Sequence, residues 1–203
     1  FFGQASKPKP PRESGRPFEA LLYVHAFIQF AVLATLLYRA SIDGSAWTTW
    51  VAALSTGISS GVSGIIVAHE LGHTKKGSFS WWVGRLNLLS VLYLHFTTEH
   101  NFTHHKHVST VKDPATALRD ESLWWFIART VPGQFKDAAA VHHRKGRTGF
   151  QNPVYRGFLL QIVLVVGLYA AFGPWVLGAF VAQAAFAIFL LEYINYIRHY
   201  GLL

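Results

Sequence analysis

Residues 51–73 read VAALSTGISSGVSGIIVAHELGH, and this run decides what kind of fold the chain adopts. From Val51 to His69 it holds no Asp, Glu, Lys or Arg, and its length is about the 20 residues a helix needs to cross bilayer hydrocarbon. Its small residues, among them Ser55, Gly57, Ser60, Gly61 and Gly64, let a neighbouring helix or an elongated substrate approach the backbone, close helix packing being the simpler use. The run ends in His69-Glu70-Leu71-Gly72-His73, followed by Lys75 and Lys76. Two imidazoles one helical turn apart therefore stand where a spanning helix leaves the membrane.

The rest of the chain agrees with a membrane setting. Of its 203 residues 51% are hydrophobic and only 14% charged, where a soluble domain carries about 25% charged residues. Apolar runs Phe18–Tyr38, Tyr155–Phe172 and Trp175–Arg198 are each long enough to span, with Asp43-Gly44 and Gly173-Pro174 as turns. The segment Trp81–Phe96 is too short for two crossings, which need about 40 residues, so it is expected to re-enter or lie at the interface. The expected fold class is all-α: an integral-membrane helical bundle of four spanning helices plus one re-entrant or interfacial segment, forming a single domain over 1–203.

Charge gives the orientation. The net charge of +8 would suggest nucleic acid in a soluble protein, but the basic residues lie between apolar runs rather than along one face, so no nucleic-acid partner is expected. If the Pro-rich stretch 1–17 and the polar region 101–156 are cytosolic, then of 18 Lys and Arg only Arg39 falls on the far side. Trp47 and Trp50 suit that far interface, and Ser122–Ile127, with Trp124 and Trp125, reads as a surface helix or the edge of a core. Cysteine is absent, which leaves no disulfide and no thiolate ligand. Methionine is absent too, and the chain opens on Phe1-Phe2-Gly3, as a fragment of a longer protein would.

A second histidine stretch, Glu99–His107, reads EHNFTHHKH. On a helix His100 and His104 share a face, with His105 beside the latter. Neutral imidazole suits zinc, iron, copper or nickel, so ligand type does not choose the metal. Ligand number does: a catalytic zinc takes three protein ligands, and five imidazoles at these spacings fit two ions better than one. The parity of crossings returns His199, in Asn195-Tyr196-Ile197-Arg198-His199-Tyr200, to the same membrane side.

The three motifs HELGHTKKG (69–77), EHNFTHHKHVSTVKDPATALRDES (99–122) and NYIRHYGLL (195–203) resemble the membrane-bound alkane hydroxylases, integral-membrane non-haem di-iron enzymes. The spacing of His100 from His104-His105 is the most specific point, since acyl desaturases commonly place fewer residues there. The resemblance implies iron ligands at His69, His73, His100, His104, His105 and His199, with Glu70 and Glu99 as candidates to hold the imidazoles' outer nitrogens. It implies two non-haem irons, O2 as co-substrate, an alkane hydroxylated at its terminal methyl, and electrons from rubredoxin or ferredoxin. It also implies a cytoplasmic-membrane location with the metal on the cytosolic side. Thr103 stands where the family usually has glycine and Arg198 where it usually has glutamate, and the family's third histidine box would lie beyond Leu203.

Two other readings compete. HELGH fits an intramembrane zinc protease with Glu70 as general base, and the whole array fits a non-catalytic histidine-rich metal-binding subunit. Of the remaining histidines, His107 is left outside the ligand set, His142-His143 read as a solvated basic loop, His25 as a packed or hydrogen-bonded helix residue, and His95 as ambiguous.

Overall fold

A computed structural model describes residues 15–202, and every described element is helical. Helix α1 covers Arg16–Asp43 and α2 covers Trp47–Gly72. Two short helices follow, α3 over Phe79–Ser90 and α4 over 96–107. Helix α5 spans Leu123–His143, and α6 runs Pro153–His199. The stretch 1–17 expected as a cytosolic tail lies mostly outside the described residues.

Three of these helices, α1, α2 and α6, are long and apolar enough to cross a membrane. The last holds 47 residues and breaks at Gly173, whose φ of 81° is open to glycine and strained for any other residue. Pro174 follows and cannot donate to the preceding turn. The Leu94 N–H donates to Gln161 Oε1 on the first limb, while Leu94 shares a core with Ala184 and Ala187 on the second. Along one straight helix residues 161 and 184 would stand about 35 Å apart, so the limbs fold back on each other at Gly173. The last two expected spans are thus joined through a single residue.

Packing follows the small residues. A Cβ built on Gly57 would come within 2.9 Å of the Gln183 carbonyl oxygen and of Phe186 Cβ, so the small-residue face of α2 is filled by the second limb of α6. A chain of polar groups crosses the same interface. Gln29 Nε2 donates to Ser60 Oγ (2.7 Å), Ser60 Oγ to Gln183 Oε1 (2.6 Å), and Gln183 Nε2 to the Ser90 carbonyl (2.8 Å). Buried polar groups away from water are costly unless partnered, so this chain fixes how α1, α2, α6 and the end of α3 sit against one another. His25 Nδ1 lies 3.1 Å from Ser63 Oγ, a hydrogen-bonded helix residue as expected.

Between the spans, α3 is two-faced. Phe79, Trp82 and Leu86 are exposed along one face, while Gly84 and Leu88 are buried on the other. Polar region 101–156 is more ordered than its composition suggests, because Leu123–His143 forms six turns of helix started by Ser122 Oγ accepting from the Trp125 N–H. Trp124 and Trp125 lie exposed on its first turn. His142-His143 end this helix, and His142 is buried, which corrects the reading of a solvated loop.

Candidate metal centre

Of the first two histidine motifs one follows, and the other sits on, unusually wound helix. In α2 the stretch Ser60–Ile66 is π-helical and returns to α-helix at Val67, just ahead of His69. In α4 the stretch His100–His104 is itself π-helical, and the His105 N–H donates to the His100 carbonyl five residues back. Such π turns mark functional sites, because the wider winding re-aims side chains. Here the consequence is specific: on an α-helix a residue five positions on would turn well away from His100, but between four and five residues per turn His104 and His105 straddle it.

The result is one connected group of rings. His69 lies 5.0 Å from His73 and 4.3 Å from His100, centroid to centroid. His105 lies 4.4 Å from His100 and 5.3 Å from His73. His104 stacks at 5.2 Å on His100, and His199 stands 5.0 Å beyond His104. All six predicted ligands from three distant motifs are therefore brought together, and a ligand atom on each of His69, His73 and His100 lies within 4.8 Å of the others. His107 makes no ring contact with this group among the described residues, and His95 packs apart from it against Tyr93 and Phe135.

Two hydrogen bonds fix the outer nitrogens. His104 Nδ1 is 2.9 Å from Asp113 Oδ2, and Asp113 is buried with Thr116 Oγ1 donating to Oδ2 (2.6 Å) and the Ala115 N–H to Oδ1 (3.0 Å). His199 Nδ1 faces the Ala115 carbonyl at 3.3 Å. The loop Asp113-Pro114-Ala115-Thr116 thus orients one imidazole from α4 and one from the end of α6, the arrangement that sets a ligand's tautomer and aim. Sequence reasoning proposed Glu70 and Glu99 for this work and passed over Asp113. Glu70 is exposed, 3.8 Å from His69 Nε2, beyond hydrogen-bond reach. Glu99 is buried with Oε1 unpartnered.

Further contacts hold the frame. Asn101 Nδ2 donates to the Gly72 carbonyl (3.0 Å), tying the second motif to the end of α2. Two turns before His199, the fully buried Glu192 accepts from Tyr93 (3.0 Å), Gln134 (2.8 Å) and Asn195 (3.1 Å). This fixes the rotation of the last limb.

The donor set suits a metal ion. His100 Nε2 is buried with no hydrogen-bond partner, although four other imidazoles surround the ring. Burial, then the neighbouring imidazoles, pushes His100 down to about 2, and burial lowers His105 as well. These rings are neutral, the form that ligates. Burial would raise the Asp113 carboxyl, but the bonds from His104 and Thr116 overcome it and hold the group below the usual range, ionised. Burial, with Asp113, Glu192 and Asp137 nearby, pushes Glu99 up to about 9.

Residues 45–202 match the fatty acid desaturase family. The chain belongs to that family. Within it, the chain is 38% identical over 96% of its length to alkane 1-monooxygenase 1 of Alcanivorax borkumensis and 36% identical over 94% to alkane 1-monooxygenase of Pseudomonas putida. It is 35% identical over 96% of its length to the alkane 1-monooxygenase of Ectopseudomonas oleovorans. It spans about half the length of these curated relatives, 49%, 49% and 50% respectively. The apolar helices and this kinship make it an integral membrane protein of the desaturase family with a histidine-lined site.

Proposed function

We propose that this chain carries much of the site of a membrane alkane monooxygenase, which converts R–CH3, O2, two electrons and two protons into R–CH2OH and water. The observation that carries the reading is the gathering of six imidazoles from three motifs into one cluster. His69, His73, His100 and His105 would hold one iron, and His104 and His199 would contribute to a second. Iron bound there supplies the activation of O2.

The chain's own part is positional. Asp113 accepts from His104 Nδ1 and the Ala115 carbonyl from His199 Nδ1, which leaves each Nε2 free to face inward. Neutral imidazoles leave a bound cation's charge uncompensated, apart from the outer carboxylate of Asp113. Substrate concentrates where the site lies, because an alkane gains about 0.8 kcal/mol per CH2 on leaving water for the bilayer. Exposed Lys106 at the end of α4, with Lys112 and Arg119 on the α4–α5 connection, would steer an acidic electron carrier such as rubredoxin or ferredoxin on the cytosolic side of the cytoplasmic membrane. A zinc protease would use three of the six histidines and require Glu70 as base; a storage subunit would need no O2.

The test is octane oxidation under 18O2 by membranes carrying the whole protein, with a reductase and carrier. Labelled 1-octanol, together with iron in the purified protein, supports the proposal. Iron-free, zinc-loaded protein that yields no alcohol and cleaves peptides refutes it.

A further inference from the structure

Beside the histidine cluster, with His73 in its wall, lies a cavity of about 540 Å³. Its walls come from the end of α2, the inner face of α3, α4, the residues after α5 and the start of α6. Four cations line it: Lys76, Arg85, Lys145 and Arg147. No carboxylate is among the described lining residues, and among the described residues none of the four cations pairs with one. Instead Arg85 lies over the Trp81 ring and donates to the Leu94 carbonyl, and Lys145 lies over the Phe102 ring at 4.6 Å. His142, in the same wall, is held in its uncharged form by burial and then by Arg147, Lys145 and Lys76. So much unbalanced positive charge around one concave space calls for an anion.

The depth of the cavity says which anion. Gly72, the last residue of spanning helix α2, and Pro153, the first of α6, both line it, so it opens where hydrocarbon gives way to headgroups. Helix α3 supports that level: Phe79, Trp82 and Leu86 point outward at 72%, 56% and 51% exposure, while Trp81 and Arg85, one turn apart, face the cavity. An apolar outer stripe with aromatic rings beside a basic inner face is how a helix lies in the bilayer interface. One stretch of wall, Leu94, Pro153, Val154 and Gly157, is apolar and suits the first methylenes of an acyl chain, while Thr97, Thr98 and Asn101 offer polar groups to a glycerol backbone.

We infer that this cavity binds the phosphate headgroup of an anionic membrane phospholipid, through Lys76, Arg85, Lys145 and Arg147, with the lipid's first methylenes against Leu94 and Val154. Basic pockets between spanning helices at the cytoplasmic surface take such headgroups. The inference stands apart from the proposed oxygenase activity, since it uses no metal and no substrate.

Native mass spectrometry of the detergent-purified full chain tests it, with phosphatidylglycerol and phosphatidylcholine of identical acyl chains as probes. The wild type should retain phosphatidylglycerol about tenfold better than phosphatidylcholine. A Lys145→Gln/Arg147→Gln double variant, at two exposed positions whose side chains make no hydrogen bond among the described residues, should lose that preference and keep its helical circular dichroism. A Lys106→Gln/Lys112→Gln variant, which removes the same charge away from the cavity, should keep it. Equal retention of the two lipids by the wild type overturns the inference, as does an unchanged preference in the cavity variant. Full displacement of phosphatidylglycerol by millimolar glycerol phosphate would make the ligand a soluble phosphate and overturn the lipid assignment.

Discussion

Replacing Asp113 by asparagine changes one atom and tests how the cluster is aimed. Asp113 Oδ2 accepts from both His104 Nδ1 and Thr116 Oγ1, and Oδ1 accepts from the Ala115 N–H. An amide cannot serve both sides. With its oxygen toward His104, its NH2 opposes the Ala115 N–H; flipped, the NH2 faces His104 Nδ1 and favours the tautomer with Nε2 protonated, which cannot ligate. Both side chains are nearly inaccessible, 12% for His104 and 0% for Asp113, so water does not repair the loss. A hydrogen bond to a charged acceptor contributes about 1.5–3 kcal/mol, which at 1.4 kcal/mol per decade is roughly 10- to 100-fold in metal affinity. Titrating the solubilised protein with cobalt(II), a spectroscopic stand-in for iron, against a competing chelator reads this directly. Asp120→Asn, an exposed acid of the same loop, is the control. Should Asp113→Asn bind within about twofold of wild type, the scatter expected of an independent site, the loop does not orient His104 and the reasoning fails.

Other expectations follow from the same structure. Gly57→Val, placing carbon within 2.9 Å of the Gln183 oxygen, should cost about 1–3 kcal/mol or more, seen as a lower melting temperature of the solubilised protein. Glu192→Leu strands donors of Tyr93, Gln134 and Asn195, at about 1–3 kcal/mol for each donor left buried; a melt unchanged from wild type would show that the last limb is held by other means. Glu121 is held below the usual carboxylate range first by the hydrogen bond from Arg129, at 2.8 Å. A depressed folded-state value means stability is present above the unfolded value, about 4.3, and is lost as pH falls through the folded one. The melting gap between wild type and Glu121→Gln should therefore be wide at neutral pH and close in acid; a gap that does not narrow removes the ion pair from the stability of this loop. If Lys106, Lys112 and Arg119 steer an acidic carrier, the second-order rate of reduction in stopped flow should fall as salt rises past about 0.1 M, and a flat dependence excludes docking through them.

Much of this was legible in the sequence because membranes impose length. The uncharged run Val51–His69 and the Gly173-Pro174 break could be read directly, and crossing parity returned His199 to the membrane side of residues almost a hundred positions earlier. His199 lies in ring contact with His104, and His104 with His100. What could not be read was winding. Nothing in HNFTH distinguishes π from α-helix, since the choice depends on how α4 packs beneath α2, so side-by-side placement of His104 and His105 needed the fold. Asp113 was missed for a related reason: nine residues and a turn separate it from His104, and acids in a basic loop look like solvated charge until their burial is seen. Of helix Leu123–His143 only the first turns were legible, because after Phe126 its buried face runs through Thr130, Gln134 and Ala138 before the next large apolar residue, Val141. The chance that Gly-rich α2 forms a channel gave way to packing, as Gln183 and Phe186 fill the Gly57 face.

The single-residue reversal at Gly173 has a bearing on biosynthesis. Because His199 reaches its neighbours only through the returning limb, a nascent chain threaded into the bilayer as far as residue 172 already carries five of the imidazoles but lacks the sixth. Assembly of these six imidazoles then waits on the hairpin at Gly173 leaving the insertion machinery. A metal held there would be gripped late, after the surrounding wall has formed, and a chain stalled short of the turn would lack the imidazole of His199.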